Sequence, residues 1–481
     1  MKTAELVFVP SPGAGHLFAM LELAKQLVSR DSRLSITVCI MKRPYESVAP
    51  GFTSHSLAPD PKNSNQIRFV DLPAVDSDPN ATPGQLLLSH IAAHKVHIRE
   101  IVSALTQSDS RLAGLVLDMF CTSIVDVANE FGVPSYVFYT CGATFLGFMF
   151  HLQNLYDRRE IDPIALRDSD AELEIPGLMN PLPGKNLPSD AVEEEWLKVL
   201  VETTRRIREA RGIIVNTYLE LESYAVDCLS NGGTPPVYPV GPILNLRGEG
   251  HETKEKNEII EWLDAQPPSS VVFLCFGSLG SFCEEQLKEI ATALERSGER
   301  FLWSVRRSPE KAPAMEVLNG NGADSFGDLL PGGFLERTAG RGKVIGWAPQ
   351  TAVLAHRSVR GFVSHCGWNS TLESIWFGVP MAAWPIYAEQ QLNAFKLVKE
   401  MELAEGIRID YRRDGGVIVT AEEIEGGIRR LMAAAAETDG MGKKVKEMGE
   451  KGREALTKGG SSYSSMGRLI EDLMDNNKIM P

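Results

Sequence analysis

Residues 6–27 read LVFVPSPGAGHLFAMLELAKQL. Leu6 to Val9 is a short β-rich apolar run, and Pro10-Ser11-Pro12-Gly13-Ala14-Gly15-His16 is a Gly-rich turn. Leu17, Met20, Leu23, Ala24 and Leu27 then recur at the spacing of one helix face. Strand, turn and helix in that order form the repeating unit of a parallel sheet. Further β-rich runs at Leu34 to Met41, Leu115 to Leu117 and Tyr136 to Tyr139 continue the pattern. Near-continuous apolar strands that alternate with helices predict an α/β fold whose sheet is covered on both faces.

The alternation starts a second time after a polar, charged segment from Asn245 to Asn257. Val271 to Phe276 reads as a buried strand ending in Gly277-Ser278, Glu284 to Arg296 as a helix, and Phe301 to Val305 as a strand. Arg306 to Arg341 is Pro- and Gly-rich and reads as a surface excursion. Beyond a charged helix around Lys443 to Lys458, Gly459-Gly460-Ser461-Ser462 breaks the chain before an amphipathic stretch with Leu469, Ile470, Leu473 and Met474. A chain of 481 residues exceeds one ordinary core, so two α/β domains are expected. Their bounds are 1–244 and 258–458, with a linker over 245–257 and a terminal helix in 459–481.

Bulk composition narrows the partners. A formal charge of -14 without a Lys/Arg run argues against a nucleic-acid partner, which needs clustered cations. Seven dispersed cysteines without paired C-x-x-C spacing suit a reducing compartment and no zinc site. The apolar run Leu6 to Pro10 is too short for a signal-peptide core, and no segment approaches the roughly 20 apolar residues of a bilayer span. A cytoplasmic protein is expected.

A second stretch carries the chemistry: Trp347 to Gln390, WAPQTAVLAHRSVRGFVSHCGWNSTLESIWFGVPMAAWPIYAEQ. Gly361 to Ser364 ends a strand, His365-Cys366-Gly367 turns tightly, and a helix starts near Asn369 or Ser370, to be stopped by Gly378 and Pro380. In a parallel sheet the crevice at the strand's carboxyl end binds ligands, and the next helix offers unpaired N–H groups to an anion. His365, Asn369 and Ser370 stand where they could hold a diphosphate. Ser370-Thr371-Leu372-Glu373 also fits a capping box that merely satisfies helix-end donors, and from these residues alone the two readings stay open. Glu373 falls one helical turn after Asn369, where a carboxylate could accept from ribose hydroxyls.

His16 follows the first strand, at the edge of a crevice of the same kind. An imidazole with a pKa near 6.5 can take a proton from an attacking hydroxyl, an effect of about 10²–10⁴ in rate. A carboxylate on its other nitrogen would fix the tautomer and stabilise the imidazolium, and Asp118, at the end of another strand, is the candidate.

The stretch from Trp347 to Gln390 resembles, over its full length, the 44-residue donor-binding signature of plant secondary-product glycosyltransferases. These are UDP-dependent family 1 enzymes with the GT-B fold, two Rossmann-like domains facing a central cleft. The resemblance extends over nearly the whole chain, through the turn with His16, Leu117-Asp118-Met119-Phe120-Cys121, Pro239 to Pro242 and Phe276-Gly277-Ser278. It points toward the enzymes that act on flavonoids, other phenolics and triterpenes. It implies that Trp347 stacks on uracil and the Ala348 backbone reads the base edge, a stacking contact worth about 1–3 kcal/mol. It further implies Gln350 and Glu373 on the ribose, and His365, Asn369, Ser370 and Ser278 on the diphosphate. Glu389 and Gln390 would grip the sugar, Trp368 would line its pocket, and Thr140 would reach the sugar or phosphate from the other domain. Gln390 at the last signature position accompanies glucose in this family, where His accompanies galactose. His16 and Asp118 match the catalytic dyad of an inverting, metal-free displacement from UDP-α-sugar to a β-O-glucoside. UDP-glucose is then a co-substrate rather than a cofactor. The resemblance also implies a monomer, and a terminal helix that returns to the first domain.

The same residues bear on three other readings. Gly13-Ala14-Gly15 suits a dinucleotide oxidoreductase, but Phe18 stands where that fingerprint needs its last glycine or alanine, and a nicotinamide titration discriminates. A serine hydrolase would need a nucleophile elbow, which Gly277-Ser278-Leu279-Gly280 is not. A catalytically silent nucleotide-sugar-binding protein is set apart by whether UDP is released with a panel of phenols. For the acceptor, Phe18, Met119, Phe120, Phe145, Phe148 and Tyr387 form an apolar, aromatic set suited to a small lipophilic hydroxylated molecule, and the segment Leu173 to Leu200 is expected to shape the same pocket.

Overall fold

The computed structural model describes residues 4–42, 65–76, 78, 80–108, 110–246, 254–306, 326–435 and 440–475. In the first half, strands β1 (Ala4–Val9), β2 (Leu34–Ile40), β3 (Ile67–Asp71), β4 (Arg111–Asp118) and β5 (Ser135–Tyr139) precede a short antiparallel pair, β6 (Glu172–Leu173) and β7 (Leu182–Pro183). β8 (Gly212–Val215) and β9 (Val237–Pro239) complete a seven-stranded parallel sheet in the order β3-β2-β1-β4-β5-β8-β9. The second half builds a six-stranded parallel sheet from β10 (Val271–Cys275), β11 (Arg300–Ser304), β12 (Gly342–Ile345), β13 (Val359–Ser364), β14 (Met381–Ala383) and β15 (Ala404–Gly406). Its order is β12-β11-β10-β13-β14-β15.

Both sheets are doubly wound, and alternation along single strands shows why. Leu6 and Phe8 of β1 point into one layer with the helix Ala14–Arg30, while Val7 and Val9 pack in another layer with Ile91, Ile98 and Val102. On β10, Val271 and Phe273 enter one core and Val272 and Leu274 the opposite one. A strand buried on both faces is apolar at nearly every position, which is the pattern legible in VVFLC and, apart from the buried Glu5 that accepts from the Ser35 and Thr37 hydroxyls, in AELVFV. In each sheet the strand order reverses beside its first strand, between β1 and β4 and between β10 and β13. Such switch points open a crevice at the carboxyl ends of the strands. His16 and Asp118 follow or end β1 and β4; Gly277-Ser278 and His365 follow β10 and β13.

The helix Lys254–Asp264 begins inside the expected linker, and Ile259 and Leu263 bury it on the second sheet. Residues 247–253 of that linker, 307–325 of the expected surface excursion and 476–481 of the expected terminal segment lie outside the described residues. The helix Ser461–Met474 buries Met466, Leu469, Ile470 and Leu473 in the core of the first sheet. There Asp472 accepts from the Tyr136 hydroxyl at 2.7 Å and pairs with Arg211 at 2.8 Å. No helix among the described residues is long and apolar enough to cross a membrane.

Candidate active site

The Gly13 turn delivers His16 to the first turn of its helix, with its side chain 29% exposed. Nδ1 lies 2.7 Å from Oδ2 of Asp118, whose side chain is fully buried at the end of β4. The other oxygen, Oδ1, accepts from the Phe120 N–H at 3.1 Å, which fixes the plane of the carboxylate. With Nδ1–H donated to Asp118, Nε2 is left as the basic nitrogen. The Thr140 hydroxyl stands 3.3 Å from Nδ1, and the Phe120 ring lies 5.6 Å from the imidazole. This is the geometry of a general base with its orienting acid.

Across the cleft, Ser364 closes β13 and the chain turns through Cys366, a buried non-glycine residue at φ 63. Left-handed backbone at a non-glycine position costs energy and gathers at ligand turns. The helix Trp368–Trp376 follows, with Gly367 as its N-cap and no side chain capping it. The helix thus begins ahead of Asn369, and Ser370 is not its cap, which removes the capping-box reading. Ser370 Oγ and Glu373 Oε2 both accept from Gln350 Nε2, at 2.8 and 2.7 Å, so the three form one polar group. Gly378, at φ +68, ends the helix as its spacing predicts.

His365 is 6% exposed, and its Nδ1 has no hydrogen-bond partner among the described residues; the same holds for Oδ1 of Asn369. Buried polar atoms left unpaired cost free energy and mark places where a ligand completes the bonding. Burial pushes the His365 imidazole down to about 4, so at neutral pH it offers an N–H without a charge. A side chain at Gly277 or Gly367 would place its Cβ 2.6 or 2.5 Å from His365 Nε2. Only glycine leaves that imidazole its place.

Trp347 and Ala348 lie half-buried after β12, and Ser278 lies exposed on the turn after β10. Asn369 Nδ2 donates to the Gly15 carbonyl at 3.4 Å, joining the two ligand turns across the cleft. Trp368 is 5% exposed and gives its indole N–H to the Asn216 carbonyl at 2.7 Å, so that group is not available to a sugar. Gln390 Oε1 accepts from the N–H groups of Ile386 and Tyr387 at 2.9 and 3.0 Å, leaving its amide NH₂ to donate. Glu389 follows Ala388, a second non-glycine residue in left-handed backbone, and burial raises its carboxyl pKa.

The expected acceptor set divides. Met119, Phe145 and Phe148 are 2%, 3% and 1% exposed and pack in the core, the two phenylalanines stacked at 6.1 Å. In that packing they present little surface to an acceptor. Phe18 and Phe120 stay half-exposed, Phe18 against the core of the first sheet and Phe120 beside His16, while Tyr387 belongs to the second domain, its ring 6.4 Å from His365. From the segment Leu173 to Leu200, the turn Ser189–Ala191 docks on the other domain, Ser189 N–H donating to Ala388 O at 2.9 Å. It carries Asp190, whose carboxyl is pushed up to about 8 by burial and then by the facing Glu389 and Glu193. No motif marks Asp190, because its neighbour Glu389 is distant in the chain. Lys396 and Glu222 also went unread, although a lysine between Phe395 and Leu397 is a charge inside an apolar run.

Two Rossmann-like sheets facing a cleft, one bearing a His–Asp pair and the other a glycine-framed anion turn, define a GT-B glycosyltransferase. Residues 238–409 match the family model described as UDP-glucoronosyl and UDP-glucosyl transferase. A UDP-glucose flavonoid 3-O-glucosyltransferase of Fragaria ananassa is 51% identical over 98% of this chain and 99% of its own length. A crystal structure of a Siraitia grosvenorii transferase with UDP superposes with a TM-score of 0.88 at 46% identity, covering 98% of this chain and 100% of that one. A Medicago truncatula enzyme solved with UDP-glucose gives 0.86 at 42% identity, with 98% of each chain covered. The chain belongs to the UDP-glycosyltransferase family of plants and is an enzyme of that class.

Proposed function

We propose that the enzyme transfers glucose from UDP-glucose to a hydroxyl of a small lipophilic acceptor, a flavonoid, another phenolic or a triterpenoid, with inversion to a β-O-glucoside. The observation that carries this reading is the 2.7 Å contact between His16 Nδ1 and buried Asp118, at the switch point facing the donor turns. His16 Nε2 takes the acceptor proton as the oxygen attacks the anomeric carbon, and Asp118 stabilises the imidazolium that forms. The C–O bond to UDP breaks as the new one forms, and UDP leaves on the opposite face.

In this reading Trp347 and Ala348 hold uracil, and Gln350 and Glu373 the ribose. His365, Asn369, Ser370 and Ser278 hold the diphosphate, whose growing charge falls on the helix start and the His365 N–H rather than on a metal ion. Thr140, Glu389 and Gln390 bond sugar hydroxyls, with Trp368 as a wall. Glucose as donor rests on Gln390 and on the donor named for the relatives. The half-exposed Phe120, its ring 5.6 Å from His16, supports an apolar acceptor. Seven free thiols suit reaction in a reducing cytoplasm.

The test offers purified enzyme several UDP-sugars and a panel of flavonoid, simple phenolic and triterpenoid acceptors. The expected result is UDP release with UDP-glucose preferred, and a product whose anomeric proton shows the large coupling of a β-glucoside. An α-glucoside would contradict inversion, and preference for another sugar would contradict the role of Gln390.

A further inference from the structure

A buried ion pair joins the two halves. Lys396, 7% exposed, follows the helix Gln390–Phe395 whose first turn carries Gln390. Its Nζ lies 2.9 Å from Oε1 of Glu222 in the first domain and also donates to the Thr144 hydroxyl. Glu222 has no exposed side-chain surface. Its Oε2 accepts from the Ala143 N–H at 2.7 Å, and its Oε1 from the Thr144 N–H at 3.1 Å. It is therefore the anion at the start of the helix Ala143–Asp157, whose N-cap, Gly142, has no side chain to offer. To reach there, Glu222 breaks its own helix at φ -135, ψ 38.

We propose that the Lys396–Glu222 pair is a positioning device that sets the donor sugar's grip against the catalytic base. The proposal rests on the glycosyl-transfer reading above. One end of the pair fixes the helix that begins just past Thr140, the residue beside His16. The other fixes the helix that presents Glu389 and Gln390. Between them, a Cβ on Gly142 would stand 2.9 Å from both Glu222 Oε2 and the Trp368 ring, so the two domains meet there with no slack. A buried ion pair gains little stability over an apolar pair of the same volume, since desolvation offsets the attraction. What it adds is direction: the ammonium has its bonding partners at one spacing only. Lys396 and Glu222 touch no substrate atom and act through the loops they hold.

The test compares wild type with the double variant Glu222→Gln/Lys396→Met, which removes both charges and leaves neither orphaned, and with Lys396→Arg, which keeps the charge in a different shape. Readouts are UDP affinity by calorimetry, acceptor kcat and KM, and UDP-glucose hydrolysis without acceptor. UDP binds the second domain, so its affinity should stay within about twofold in a folded variant. Displacement by an ångström costs up to about 10²-fold in rate. Acceptor kcat should therefore fall about 10- to 10²-fold in the double variant and by less in Lys396→Arg, with hydrolysis rising relative to transfer. Unchanged kcat, or equal losses of kcat and UDP affinity, would overturn the proposal. If the double variant does not fold, Lys396→Arg decides by the same criteria. A wild type that transfers no sugar would overturn the functional reading instead.

Discussion

Burial decides what each imidazole of the cleft can do. His16, with one face toward solvent and Asp118 on Nδ1, is built to gain a proton, whereas His365, held at about 4, is built to stay neutral and donate. If donation rather than charge is what His365 supplies, His365→Gln should keep most UDP affinity while His365→Leu loses it. A hydrogen bond to a charged group is worth about 1.5–3 kcal/mol, or roughly 10- to 150-fold in Kd. Equal losses in the two variants by calorimetry would contradict the donor role. Trp347→Ala should weaken UDP by about 1–3 kcal/mol if uracil stacks on the indole, and unchanged affinity would remove that contact. His365 and Trp347 were legible because a contiguous motif contains them. Asp190 was not, since its raised pKa exists only once the fold buries it and sets it against Glu389.

At the scale of elements, two helices carry separable predictions. The helix Ser461–Met474 is held by a buried apolar face and by Asp472, so Leu473→Ala should cost about 2–5 kcal/mol in urea denaturation with the slope unchanged. A loss under 1 kcal/mol would mean that this helix is not part of the first core. In the helix pair Pro83–Ala93 and Lys95–Thr106, His94 links the two and is fully buried, its ring 4.9 Å from His90. Burial, then His90 and His97, lower its pKa to about 4, below the 6.5 of the unfolded chain. The unfolded state thus binds the extra proton between pH 6.5 and 4, and the stabilisation present above 6.5 is lost as pH falls through that window. His94→Phe keeps a ring in place and should flatten this acid loss in melting experiments; an unchanged pH profile would exclude His94 as its source. Amphipathic helices and apolar strands were readable because their periodicity is local. The capping box at Ser370 could not be decided from pattern, which does not say where a helix starts, and Gly367 takes that position.

For the whole molecule, two doubly wound sheets were legible because their central strands are largely apolar and their helices apolar on one face. The meeting of the halves was not, since Lys396–Glu222, Trp368–Asn216 and Asn369–Gly15 join residues far apart in the chain. These contacts bring a base from one sheet to a donor turn of the other, and transfer depends on both being present at once. On the proposed reading binding and chemistry are divided between the halves, and a change at the base should leave the nucleotide site intact. The most direct measurement is His16→Ala, with UDP affinity by calorimetry and UDP-glucose-dependent glucoside formation by mass spectrometry on the same preparation. The account predicts UDP binding within about twofold of wild type and a rate lower by about 10²–10⁴. Wild-type turnover in that variant would contradict it.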